Sequence, residues 1–180
     1  MRKVIDNFLD KPDFERLQQA LLETDTGFPW FYSKVVTPGS DMECSEIDNW
    51  QLCHPFYDIP KDKDFYRNNF YRTPTMDLIL PILQKLEPKI LIRVKANLNS
   101  RTHDIITHAY HTDVPADELA AVGKTAVFYV NTNNGYTIFE DGERVESVAN
   151  RIVMFDATQK HSGTTCTDQQ FRCVININWL

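Results

Sequence analysis

A mainly β single domain with N-terminal helices, an antiparallel barrel or jelly roll, is the fold class this sequence predicts. From Lys89 onward the chain breaks into short runs rich in β-branched and aromatic residues. Turn signals at Asn133-Asn134-Gly135 and Asp141-Gly142 separate some of them. Ahead of these runs lie two stretches with helical spacing. Helices first and short strands after predict a sheet closed on itself, or two facing sheets, with the helices as outer cover.

Taken in order, "KVIDNFLD" reads as a short strand ending in a turn. Asp10 then stands where a helix cap belongs, with Pro12 in the first turn, and Phe14, Leu17, Leu21 and Leu22 recur at helical spacing. "GFPWFYSKVVT" is aromatic and β-branched and reads as extended, while residues 40–70 read as irregular. "TPTMDLILPILQKLEP" is a second helix with Thr73 as cap and Pro74 in its first turn; Pro81 kinks or restarts it. "KILIRVKANLN", "KTAVFYVNT", "YTIFED", "ERVESVA", "RIVMFDA" and "FRCVININWL" are the successive strands. One domain over residues 1–180 is expected, with 1–88 as helical and irregular support and 89–180 as the jelly-roll core.

Bulk properties exclude several function classes. A formal charge of -6 and a pI near 5.3 argue against a general nucleic-acid binder. Arg93, Lys95 and Arg101 lie close in sequence and read as a solvated strand face rather than a basic groove. No window approaches the ~18 consecutive apolar residues of a membrane span, and "MRKVIDNFLD" is not a secretory leader. Cys44, Cys53, Cys166 and Cys173 form no Cys-x-x-Cys pair. Free thiols in a reducing cytoplasm are expected, with Cys166 and Cys173 the pair to watch.

The chemistry lies in "AYHTDV" and "QKHSGTTCTDQQFRCVININWL". His111 and Asp113 stand two apart, so on a strand they point the same way. His161 follows in a turn rich in Ser, Gly and Thr, and Arg172 opens the last strand among Val, Ile and Trp. Two histidines and one carboxylate form the facial triad that suits non-haem Fe(II), because it leaves positions open for a bidentate 2-oxo acid and O2. An arginine in an apolar strand needs a fixed anionic partner. A bidentate ion pair with the distal carboxylate of the 2-oxo acid meets that need.

The order His111-x-Asp113, His161, Arg172, together with "FYVNTNNGYTIFEDGE", resembles the Fe(II)/2-oxoglutarate-dependent dioxygenases. The similarity is greatest to the prolyl-hydroxylase-like branch and its small phage-type and marine bacterial members, and covers about residues 89–180. It implies a double-stranded β-helix (jelly roll) and hydroxylation of a C–H bond with release of succinate and CO2. It also implies His111, Asp113 and His161 as iron ligands and Arg172 on the 5-carboxylate of 2-oxoglutarate. Tyr129 matches a tyrosine that often shares that carboxylate. Asn99 stands near the place of another tyrosine contact, a departure from the pattern, with Asn97 as the alternative.

No motif specifies proline, so a prolyl peptide, a free amino acid and a small metabolite all stay open as substrates. A cupin-like metal enzyme without a 2-oxo acid and a non-catalytic jelly-roll binding module are the rival readings, and Arg172 argues against the first. His103 and His108 read as loop residues or supports of the ligands, and His54 has no matching partner. Trp30, Phe31 and Tyr32 read as packing rather than as a substrate mouth.

Overall fold

The structure, a computed structural model, describes residues 1–36, 49–58, 71–113 and 123–180. Its elements run β1 (Lys3–Ile5), α1 (Lys11–Leu22), β2 (Phe31–Ser33), β3 (Gln51–Asp58), β4 (Tyr71–Arg72), α2 (Leu80–Leu86), β5 (Leu91–Ser100), β6 (Lys124–Tyr129), β7 (Tyr136–Phe139), β8 (Arg144–Glu146), β9 (Arg151–Asp156), β10 (His161–Gly163) and β11 (Phe171–Trp179). Eight strands form one antiparallel sheet in the order β1-β9-β6-β11-β5-β3-β2, with β4 added beside β3. A second sheet, β10-β7-β8, has three strands. Two sheets face each other, as a jelly roll requires, and helices cover the outer side of the larger one.

Strand alternation decides what each face of the large sheet does. On β6, β5 and β11 one parity places Ala126, Phe128, Val94, Ala96, Cys173, Ile175 and Ile177 in a single apolar cluster. Leu17 and Leu21 of α1 and Ile82 of α2 close that cluster from outside. The other parity contributes Val127, Tyr129, Val153, Phe155 and Val174 to a smaller cluster with Phe139 and Val145 of the small sheet. The helix-side layer is the principal core; the layer between the sheets is only partly apolar, and the rest of it is cavity.

Helix α1 starts where the sequence places it, and a 3-10 turn stands where the second helix is expected to begin, but neither cap works through its side chain. The Asp10 carboxylate accepts from Lys85 Nζ at 2.9 Å, which ties α1 to α2. Residues Pro74–Leu78 form a 3-10 turn, and the α-helix restarts with Pro81 in its first turn. Here the proline's missing N–H costs nothing.

Two expectations need correction. Residues 51–58, read as irregular, are β3, paired with β5 from Leu52↔Leu98 to Asp58↔Arg93. Pro55 hid it: proline removes a ladder donor, and the register shifts between Pro55 and Tyr57. His161, read in a turn, opens strand β10, which pairs with β7 as His161↔Phe139, while the segment carrying His111 makes only the isolated bridges Thr107↔Thr164 and His111↔His161 among the described residues.

Cys53, Cys166 and Cys173 are free thiols, and Cys44 lies outside the described residues. Trp30 packs against the core, and its indole donates to the Leu21 carbonyl at 3.3 Å. Phe31 and Tyr32 stay exposed on the short strand β2. No helix among the described residues is long and apolar enough to cross a membrane.

Asn150 fixes the N-terminal segment to the sheet. It has φ +63°, and its buried side chain both donates to the Leu9 carbonyl (2.9 Å) and accepts from the Leu9 amide (2.8 Å). Asn150→Ala leaves two buried backbone groups unpaired, at roughly 1–3 kcal/mol each, and strains a left-handed position by about 1 kcal/mol more. A fall in Tm of several degrees is expected by calorimetry. Asn150→Gly should recover only the backbone share; a Tm equal to wild type in either variant would contradict this account.

Candidate active site

The bridge between His111 and His161 builds the site. The backbone amide of each donates to the other's carbonyl at 3.0 Å, so the loop carrying His111 lies beside β10. His111 Nδ1 lies 3.1 Å from the Ala109 carbonyl and His161 Nδ1 lies 3.3 Å from the Gln159 carbonyl. A carbonyl only accepts, so both Nδ1 atoms carry the proton and both Nε2 lone pairs stay free. Those Nε2 atoms stand 3.6 Å and 3.9 Å from the Asp113 carboxylate oxygens. The three potential ligand atoms all lie within 4.8 Å of one another.

Asp113 is held from the sheet side. Arg93 Nη2 donates to Oδ1 at 2.8 Å and Asn178 Nδ2 donates to Oδ2 at 3.2 Å. Burial alone would raise the Asp113 pKa, but the Arg93 guanidinium and the two imidazoles outweigh it and hold the carboxyl well below its usual range. Burial pulls His111 down while Asp113 pulls it up, and the net is a raised value. For the more deeply buried His161 burial wins and the pKa falls.

A cavity of about 320 Å³ opens beside these three residues. Arg172 lines it, only 2 % exposed. Its Nε donates to Ser147 Oγ at 2.8 Å and its Nη2 to Thr137 Oγ1 at 3.2 Å. Both partners are neutral, and no carboxylate pairs with it among the described residues. Burial lowers its pKa, yet a guanidinium keeps its proton inside proteins. The close fit extends to Gly135, where an added Cβ would come within 2.7 Å of Arg172 Cδ.

The remaining expected contacts divide. Asn97 and Asn99 are on the cavity wall, and Asn97 Oδ1 and Asn99 Nδ2 are buried without a hydrogen-bond partner among the described residues. Tyr129 is not on the wall. It packs in the cluster between the sheets, and its hydroxyl donates to Thr137 Oγ1 at 2.8 Å, so it supports a residue that Arg172 uses. Burial pushes that hydroxyl up to about 12.

Sequence reasoning missed other wall residues. His108, read as a loop residue or a support, is 2 % exposed on the wall, and both ring nitrogens are unpaired among the described residues. Burial, with Arg172 and His111 nearby, pushes it down to about 4, so it is neutral at pH 7. Arg93 and Lys95, read as a solvated face, also line the cavity. The signal was a period of two: Arg93, Lys95, Asn97 and Asn99 share one parity of β5, and Arg172, Asn176 and Asn178 share one of β11. Arg101 and His103 are exposed, the latter 3.0 Å from Asp104. His54 is structural, with Nδ1 bonded to the Pro29 carbonyl at 2.7 Å and the ring packed against Phe28 and Phe56.

No family model and no curated protein matches this sequence. Solved structures do match. An oxidoreductase of the 2OG-Fe(II) oxygenase family from Burkholderia pseudomallei superposes with a TM-score of 0.65 at 11% identity, over 99% of this chain and 84% of that one. A prolyl hydroxylase from Trichoplax adhaerens, in complex with a hypoxia inducible factor peptide fragment, gives 0.62 at 9% identity, over 99% and 83%. A Pseudomonas putida prolyl-4-hydroxylase gives 0.56 at 17% identity, over 99% and 90%. The jelly roll of this chain is thus the fold of the 2-oxoglutarate/Fe(II) oxygenases, prolyl hydroxylases among them.

Proposed function

We propose that this chain is an Fe(II)- and 2-oxoglutarate-dependent dioxygenase that hydroxylates a C–H bond of a peptide, amino acid or small metabolite. The observation that carries the reading is Arg172. A fully buried guanidinium with only neutral partners among the described residues, on the same cavity as a His-Asp-His set, fits an anion that those residues do not supply. A carboxylate of a bound 2-oxo acid meets that need by a bidentate pair. A cupin-like site without a 2-oxo acid leaves this charge unexplained, and so does a non-catalytic module.

The donor set fits the metal as well: two imidazoles that present Nε2 and one ionised carboxylate, with protein ligands on one side and cavity on the other. When bound, Fe(II) with 2-oxoglutarate and O2 supplies the oxidising chemistry, and succinate and CO2 leave. The chain's own part is positioning. His111 and His161 present Nε2, while Arg93 and Asn178 keep Asp113 ionised and oriented. Arg172 takes the distal carboxylate, and Ser147 and Thr137 fix the guanidinium plane. His108, neutral, offers a further hydrogen bond at that end. Val127 and Val174 give the cavity an apolar wall that limits water.

Two outcomes follow. Asp113→Ala removes the only anionic ligand of the three, so stoichiometric Fe(II) or Mn(II) binding, read by calorimetry, should be lost; the exposed control His103→Ala should bind as wild type. Retained binding in Asp113→Ala would remove the triad from the account.

Arg172→Met separates stability from binding. Breaking a buried ion pair costs about 3–5 kcal/mol, so 2-oxoglutarate affinity should fall about a hundredfold or more. The measurement is the metal-to-ligand absorption band during anaerobic titration with Fe(II). The free variant should melt no lower than wild type, because an uncompensated buried charge has been replaced by an apolar side chain of similar reach. Unchanged 2-oxoglutarate binding would make Arg172 a structural cation and end the co-substrate assignment.

A further inference from the structure

Lys95 has no task in the function just proposed. It lies on the cavity wall, mostly buried, and among the described residues it makes no hydrogen bond or ion pair. Asp113 is the one described carboxylate on that wall. Asp58, on β3, is near enough to act on Lys95 electrostatically but does not line the cavity. Arg93, by contrast, is engaged: its Nη2 donates to Asp113 and its Nε to Asn178 Oδ1 at 3.1 Å.

The proposed reaction does not neutralise Lys95 either. A divalent iron, the Asp113 carboxylate, a doubly charged 2-oxoglutarate and the Arg172 guanidinium balance to zero, and the Arg93 guanidinium, which shares Asp113, already leaves the site positive before Lys95 is counted. Lys95 remains a surplus charge in a poorly solvated place, where an unpaired ion is costly. Burial already pulls its ammonium below its ordinary value.

Register shows which ligand it faces. Cross-strand rows along the wall run Arg172↔Asn99, Val174↔Asn97, Asn176↔Lys95 and Asn178↔Arg93. Lys95 is four residues from the Arg172 row, about 14 Å of strand at ~3.4 Å per residue. It is one row from Arg93 and Asn178, the pair that holds Asp113. Lys95 therefore belongs to the end of the cavity by the triad, where the oxidised part of a substrate must lie, and not to the end that takes the distal carboxylate of the co-substrate. Asn176, in its own row, and Asn97, in the neighbouring one, each have a buried amide oxygen without a partner among the described residues.

We propose that Lys95 binds a carboxylate of the substrate, with the amides of Asn97 and Asn176 on its neighbouring polar atoms, so that the substrate is a small organic acid or free amino acid. This rests on the dioxygenase reading. The backbone of an internal peptide segment carries no charge to place there; only an acidic side chain or a C-terminal carboxylate would supply one. The cavity volume, at the small end of the ~300–1,000 Å³ usual for ligand sites, suits a small acid beside the co-substrate.

The test uses wild type, Lys95→Met, Lys95→Arg and Arg172→Met, each loaded with Fe(II) under anaerobic conditions. The first measurement is 2-oxoglutarate affinity. The second is calorimetric binding of acetate, glycine and N-acetylglycine to the loaded protein, each against its neutral amide, with methyl phosphate as a separate arm. In wild type the acids should bind at least about tenfold tighter than their amides. Lys95→Met should erase that preference while 2-oxoglutarate affinity stays near wild type, and Lys95→Arg should keep it. Equal binding of acids and amides, no binding of any acid, or an acid preference that survives Lys95→Met would overturn the proposal. So would a preference for methyl phosphate, or a loss of 2-oxoglutarate binding in Lys95→Met as large as in Arg172→Met. Failure of wild type to bind 2-oxoglutarate at all would instead remove the dioxygenase reading, and the acid preference, measured without it, would still report on Lys95.

Discussion

Arg172 holds a full positive charge at 2 % exposure against two hydroxyls, and much of the surrounding structure exists to keep it there. The residue belongs to β11, in the large sheet. Thr137 belongs to β7 and Ser147 follows β8, both on the side of the small sheet. The guanidinium is therefore a polar rivet between the two layers. Thr137 accepts from Tyr129 as well, so the Tyr129 hydroxyl, Thr137 and Arg172 form one chain of bonds through the inter-sheet layer. Gly135 has no Cβ where one would strike Arg172 Cδ at 2.7 Å and the Thr165 carbonyl at 2.6 Å. A leucine or methionine in place of Arg172 would pack this layer with less need of such fittings. The proposed function accounts for the retained charge by the anion that enters.

The same logic extends along the strands. The helix-facing parity of β5 and β11 is a continuous apolar core, while the cavity-facing parity carries Arg93, Lys95, Asn97, Asn99, Asn176 and Asn178. Buried amide atoms without partners, as on Asn97, Asn99 and Asn176, cost on the order of 1–3 kcal/mol each. The sheet thus concentrates its stability on one face and its unsatisfied chemistry on the other. Such a division is what a binding site looks like before it is filled: polar groups fixed by rigid strands, each short of one partner.

How much of this the sequence disclosed depended on whether an inference needed long-range pairing. Helix α1, the restart at Pro81 and the longer strands from Leu91 onward are local patterns and were legible; β10, only three residues long and read as a turn around His161, was not. So were His111, Asp113, His161 and Arg172 as a set, because their types and order are informative without coordinates. Strand β3 was not, since Pro55 and a shifted register break the alternation that would mark it. The facing of Arg93 and Lys95 was not, because alternation reveals two faces but not which one is open to solvent when helices cover one and a second sheet the other. Tyr129 faces the inter-sheet layer by parity, yet only the register Val174↔Tyr129 and the bond to Thr137 place its hydroxyl behind Arg172 rather than on the wall. His108 carried no signal beyond its nearness to His111.

The His-x-Asp motif suggests a strand that aims two side chains alike, but the protein reaches convergence by another route. His111 and His161 face each other across a single antiparallel bridge, and each donates its Nδ1 proton to the carbonyl two residues before it. The two imidazoles are thus held by the same local device on two antiparallel segments, which turns both Nε2 atoms toward the space between them, where Asp113 stands. Asp113 follows in a bend and is drawn to the sheet by Arg93 and Asn178 rather than by its own backbone. Ligand orientation therefore comes from backbone pairing on one side and from the polar rows of β5 and β11 on the other. Those rows end at Arg172, so the sheet that fixes the carboxylate of the triad is the same rigid body that fixes the guanidinium, and the distance between the two anchors is set by strand geometry rather than by a loop.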